Sequence, residues 1–151
     1  MKLFFIIAGI FLVGASYFVR DMSEVMILWR GDDIDPNTMY WVMLRTSYTS
    51  AALAIVFAIS IFTPKNIVQI VFGELLKGMP EYVFKNVNYM WIGFFIVVAI
   101  VNYYFMTYHD TRGWCMWKLL GAIPLFVTFC IGQLVYFSRQ AKKNNITFEA
   151  T

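Results

Sequence analysis

A single histidine, His109, stands beside Asp110 in the stretch "YHDTRG". The pair has the composition of a proton carrier, yet in a short polar loop the plain reading is a solvated histidine. A bis-histidine haem or a histidine-based zinc site lacks its second ligand. In "DIDPN", Asp33, Asp35 and Asn37 fall on the first three ligand spacings of a calcium loop. Thr38 occupies the place of its glycine and Leu44 that of its distal glutamate, so the loop fails and a solvated turn at "DPN" is expected. Cys115 and Cys130 lie on one apolar run. On a helix they would be roughly 22 Å apart, far beyond the ~7 Å a disulfide tolerates.

Two kinds of residue keep a chemical meaning. Lys118, with Arg112 nearby, has the charge to hold a lipid phosphate; the simpler role is a side chain that snorkels to headgroup level. Trp114 and Trp117 beside it read as interfacial anchors. Three amides, Asn88, Asn102 and Gln133, sit within or at the edges of strongly apolar runs. An unpaired amide in hydrocarbon is costly, so such residues turn towards other helices.

The elements that position these groups follow from composition. Of 151 residues, 60% are hydrophobic and 14% charged, with 19% aromatic. A soluble domain has about 25% charged residues, so the bilayer is the expected solvent. The formal charge of +3 is scattered, with no basic stripe for nucleic acid. Four apolar runs, at 3–19, 46–63, 89–106 and 117–137, each approach the ~20 residues a crossing helix needs. The first also has the lysine, apolar run and small residues of a cleavable signal, but its continuation through Tyr17, Phe18 and Val19 suits an anchor. The expected fold is all-α: a single polytopic membrane domain with four transmembrane helices. An interfacial amphipathic helix over about 65–77 accompanies them, its apolar face formed by Ile67, Val68, Ile70, Val71, Phe72, Leu75 and Leu76.

On a helical wheel Asn88, Trp91, Phe95, Ala99, Asn102 and Met106 share one face of the third span. Lys118, Gly121, Ala122, Leu125, Phe129, Gly132, Gln133, Tyr136 and Arg139 form a stripe on the fourth. Pro124 frees the carbonyl of Leu120 there and kinks the helix. In the second span Ser47 with Ala51 and Ala54 with Ala58 are small pairs that let backbones approach. Seven cationic residues (Lys2, Lys65, Lys77, Lys85, Arg139, Lys142, Lys143) fall on the side of the N-terminus, against Arg20, Arg30, Arg45 and Arg112 opposite, with Lys118 at a boundary. That excess predicts both termini in the cytoplasm. The spans hold no mid-membrane carboxylate, which argues against an ion-coupled transporter and a membrane hydrolase.

The stretch Asn88-x-x-Trp91-x-x-Phe94-Phe95, then Asn102, then Trp114-x-x-Trp117-Lys118-x-x-Gly121, resembles the bacterial intracellular septation protein A family, the YciB-like inner-membrane proteins. Phe129, Gln133, Tyr136 and Arg139 continue the likeness, which covers roughly residues 40–140. Phe84, Trp117 and Gln140 depart from the family's usual Trp, Phe and His. The first 40 residues carry no resemblance, and the family's usual five spans exceed the four read here.

The resemblance implies a bacterial inner-membrane protein of cell division, serving envelope integrity, elongation and septum formation. It implies action through partners, with no enzyme activity, catalytic residue, metal or cofactor. Expected partners are the lipid bilayer, other membrane proteins of envelope synthesis or division, and a second copy of the chain. Asn88, Trp91, Asn102, Gly121, Gln133 and Tyr136 are the expected interhelical residues, with Asn88, Asn102 and Gln133 tying the third span to the fourth. Arg112, Trp114, Lys118 and Arg139 are expected at the interface or on a lipid headgroup. The alternatives are a lipid-handling or small-solute transport protein and, in third place, an accessory subunit of a respiratory complex.

Overall fold

The computed structural model describes residues 25–26, 35–74 and 76–146, and among these every regular element is helical. In chain order they are α1 (Pro36–Ser60), α2 (Ile67–Phe72), α3 (Glu81–Tyr108), α4 (Thr111–Met116), a π-helical segment (Trp117–Ala122) and α5 (Ile123–Lys143). The last three run on as one rod, Thr111–Lys143. Among the described residues, three helices are long and apolar enough to cross a membrane: Asn37–Ser60, Glu81–Tyr108 and Thr111–Lys143. The run expected at 3–19 lies outside the described residues.

Each crossing helix begins before its expected apolar run, because a charge near a helix end does not stop the helix, while α1 stops at Ser60, short of residue 63. α1 starts at Pro36, well before residue 46. The "DPN" stretch is thus a helix start and no free turn: the Asp35 carboxylate accepts from the Thr38 backbone N–H at 3.2 Å, and Pro36 takes the first helical position. This pairing suits both residues, since the cap satisfies an orphan donor and proline has none to lose. α3 runs 28 residues, about 42 Å, so its ends project beyond ~30 Å of hydrocarbon. A Lys85–Glu81 ion pair of 2.9 Å, one turn apart, accompanies its first turns.

α1 and α3 pack antiparallel. The C-terminal turn of α1 meets α3 at Asn88, while Met43 and Leu44 near its start cluster with Met106 near the end of α3. The buried face of α1 is rich in small or hydroxyl residues, Thr46, Ser47, Ser50, Ala54 and Ser60, so the two backbones can approach closely. Ser50 returns its hydroxyl to the Thr46 carbonyl at 3.0 Å, and Thr49 does the same to Arg45 at 2.9 Å. Outward, Ile55, Ile59, Ile96, Ile100, Ile131 and Val135 are exposed. That is a liability in water and the normal coat in lipid. Tyr40, Trp41, Tyr103, Tyr104 and Tyr108 girdle one end, and Tyr82 and Tyr89 the other.

α2 covers the Tyr82 end. Asn66 caps it, accepting from the Gln69 N–H at 2.9 Å. It stops at Phe72, short of residue 77, and the chain turns back through Gly78, whose φ of +92° is open to glycine without strain. Val68, Phe72 and Leu76 are buried in one cluster with Met79, Val83 and Val87, while Ile70 and Val71 face outward. The broad apolar face is therefore split between the bundle and its surroundings.

The rod from Thr111 starts after only His109 and Asp110. The Asp110 carboxylate accepts from the Gly113 N–H at 2.8 Å, and His109 is exposed with its ring against Phe105 at 4.8 Å. A π-helical turn then precedes Pro124. In a regular α-helix the Pro124 ring would press on the Leu120 carbonyl, and a wider turn just upstream relieves that clash. It also resets the face. A single 100° wheel drawn through 118–139 puts Gly132 and Arg139 in the stripe, but both are exposed; Phe126, Phe129, Cys130, Gln133, Phe137 and Ala141 turn inward. Both cysteines are free thiols.

Candidate functional site

The buried line along α3 runs Val83, Phe84, Val87, Asn88, Trp91, Phe95, Val98, Asn102 and Met106. Its two amides sit at different levels and serve different helices. Asn88 donates from Nδ2 to the Phe57 carbonyl at 2.8 Å, and its Oδ1 lies 3.3 Å from the Ser60 hydroxyl. That hydroxyl has one proton and a nearer acceptor, the Phe57 carbonyl at 2.7 Å, so the Nδ2 bond is the firmer link. Asn88 thus fastens α3 to α1, the second expected span, and leaves α5 alone. The reason is topological: the chain turns only through α2 between Ser60 and Glu81, which brings the end of α1 beside the start of α3.

Between the amides lies a block of rings. Trp91 stacks on Phe57 of α1 with centroids 5.8 Å apart and meets Phe129 of α5 edge-on at 4.9 Å. Phe94 stacks on Phe129 at 4.3 Å. Offset and edge-on aromatic pairs contribute about 0.5–1.5 kcal/mol each beyond burial. Trp91 therefore joins three helices.

At the far level Asn102 accepts at Oδ1 from the Trp117 indole N–H, 2.9 Å away. The Trp117 ring lies parallel to Phe105, 8° between planes and 5.3 Å between centroids. This pose requires Gly121: a Cβ there would collide with the six-membered ring of Trp117. Gly121 acts by making room for an indole, and through it Asn102 is linked to the last rod. Trp117 is therefore no simple anchor; its hydrogen bond is visible only once the π segment sets its direction.

Gln133 is 1% exposed, yet among the described residues neither its Nε2 nor its Oε1 has a hydrogen-bond partner. It makes no tie. The polar clasp between α3 and α5 lies nearer the Tyr82 end. There Asn86 Nδ2 donates to the Tyr136 hydroxyl at 3.0 Å and the Tyr82 hydroxyl to Gln140 Oε1 at 2.9 Å. Of this clasp only Tyr136 is among the residues expected from the sequence. Asn86, Tyr82 and Gln140 lie on the helix flanks, where polarity carries no signal of pairing.

The interfacial assignments divide. Arg112 and Arg139 are exposed. Trp114 is fully buried, in a cluster with Val25, Met43, Leu44, Met106 and Cys115, and Lys118 is 5% exposed with its Nζ 5.3 Å from the Trp114 ring centre. Both are turned into the bundle, away from its exposed surface. Trp114 and Lys118 project from the inward side of the rod because the two-residue link folds it tightly against the end of α3. Trp114 Nε1, Asn102 Nδ2 and Ser47 Oγ, all on buried residues, have no hydrogen-bond partner among the described residues. The geometry can hold helices in register and present unspent donors.

The family model for intracellular septation protein A matches residues 4–144. The chain belongs to that family. The match reaches back to residue 4, so family membership includes the first 40 residues, beyond the reach of the motif likeness. The chain is 32% identical over 120 residues to the inner membrane-spanning protein YciB of Methylibium petroleiphilum, covering 80% of this chain and 51% of that protein. It is 31% identical over 120 residues to the YciB protein of Acidovorax ebreus, with 80% and 56% covered. Against that of Paracidovorax citrulli it is 27% identical over 135 residues, with 89% and 64% covered. The chain thus spans about half to two-thirds of the length of these curated relatives. No solved structure matches.

Proposed function

We propose that this chain is a bacterial inner-membrane scaffold that supports envelope integrity, elongation and septum formation by binding other membrane proteins. Membership of the septation family carries the reading. The packing supports it: Asn88, Trp91 and the Tyr136 clasp spend their contacts inside the bundle, while the rod from Thr111 keeps a long apolar flank, Leu120, Val127, Ile131 and Val135, exposed. Both termini lie in the cytoplasm on this reading, with Arg112 at the outer headgroups and Arg139 at the inner ones.

The test is photo-crosslinking in native membranes from Ile131 on that flank. Adducts with proteins of division or wall synthesis are expected. If adducts form with lipid alone, and the purified chain moves lipid or solute in proteoliposomes, the scaffold reading fails and lipid handling or transport replaces it.

A further inference from the structure

At the Tyr108 end the bundle encloses hydrogen-bond donors that nothing among the described residues uses. Asn102 gives its only acceptor, Oδ1, to Trp117, and its Nδ2 remains unspent. Trp114 Nε1 is equally unspent, on a residue with no exposed surface. Ser47 differs from its neighbours Thr49 and Ser50, which return their hydroxyls to the carbonyl four residues back; Ser47 Oγ has no partner. The three lie within about one helical turn of one another along the bundle. Trp114 packs with Met43 and Met106, and Ser47 and Asn102 each lie one helical turn from those methionines on the buried face.

A buried unmet donor costs about 1–3 kcal/mol, so three at one level call for an acceptor. We propose that this level binds the phosphate ester oxygens of a glycerophospholipid. Phosphate oxygens and ester carbonyls only accept, which matches a set made of indole and amide N–H groups with one hydroxyl. Trp114 lies about 5 Å along the rod from Thr111, beside the Tyr108 girdle that marks the level of a lipid's phosphate and ester groups. The scaffold reading does not depend on this site.

The experiment uses the full chain in detergent with indole nitrogen-15 labelling, titrated with phosphatidylglycerol and, separately, with inorganic phosphate. Phosphatidylglycerol should shift the Trp114 indole N–H resonance and raise the melting temperature. Trp114→Phe and Asn102→Ala should each raise the half-saturating lipid concentration for that melting shift at least fivefold, while Trp41→Phe, on an exposed residue, leaves it unchanged. A matching shift with inorganic phosphate alone overturns the lipid assignment and gives the same donors to a free anion. A Trp114 resonance unmoved by either titrant overturns the proposal, and this readout needs no variant to fold.

Discussion

Single residues divide by whether their polar atoms are spent. Asn88 holds a bond across the α1–α3 interface, so Asn88→Leu should destabilise the protein by about 0.6 kcal/mol, the average for interhelical bonds in lipid, and by no more than about 1.7 kcal/mol, their maximum. Gln133 carries two unmet atoms, and Gln133→Leu should be neutral or stabilising by about 1–3 kcal/mol. Unfolding in detergent compares the two; a large loss of stability in the Gln133→Leu protein would mean that the amide has a partner. Gly121→Ala should drive the Trp117 ring from Phe105 and break its bond to Asn102, read as faster hydrogen exchange at that indole. In the link after α2, Lys77 lies 2.9 Å from Glu74 and its hydrogen bond and charge lower the Glu74 pKa. That contact helps above the ordinary glutamate range and is lost as pH falls through the lowered value. Lys77→Ala should return the Glu74 titration, followed by NMR, upward.

At the scale of elements, apolar run length tells where helices cross but not where they begin. Asp35–Pro36 is a helix-start signature in plain view, masked because Arg45 and Tyr40 make the apolar run look finished. The face of α3 is legible because one uninterrupted helix keeps one period. The face of the last rod is not, since a π turn changes the period midway and no single residue announces it. Pro124 is its physical cause. Pro124→Ala should let the turn rewind to α geometry and swing Trp117 from Asn102; an unchanged indole N–H resonance would show that the wide turn has another origin.

For the whole molecule, composition is enough to name the solvent, and coupled spacings from Asn88 to Arg139 are enough to name the family. Partnering is harder to read. Amides near one another on a wheel look like partners, yet α2 sends Asn88 to α1, and the clasp to α5 falls to Tyr82, Asn86, Tyr136 and Gln140. The proposed orientation follows from cation counts. With Cys115 and Cys130 replaced by alanine, a cysteine placed at Asn144 should react only with reagents that reach the cytoplasm; labelling from the periplasmic side of intact cells reverses the topology.

The last rod touches its neighbours through Trp114 and Cys115 at its start, the Trp117–Asn102 bond, rings at mid-height, and Phe137, Ala141 and one clasp at its far end, whereas α1 and α3 meet at levels from Met43 to Ser60. Chains insert from the N-terminus, so the α1–α3 hairpin can close while the ribosome is still making the remainder. The C-terminal rod would then arrive as a latecomer, docking on a finished platform, and its release would be the first step when the protein comes apart.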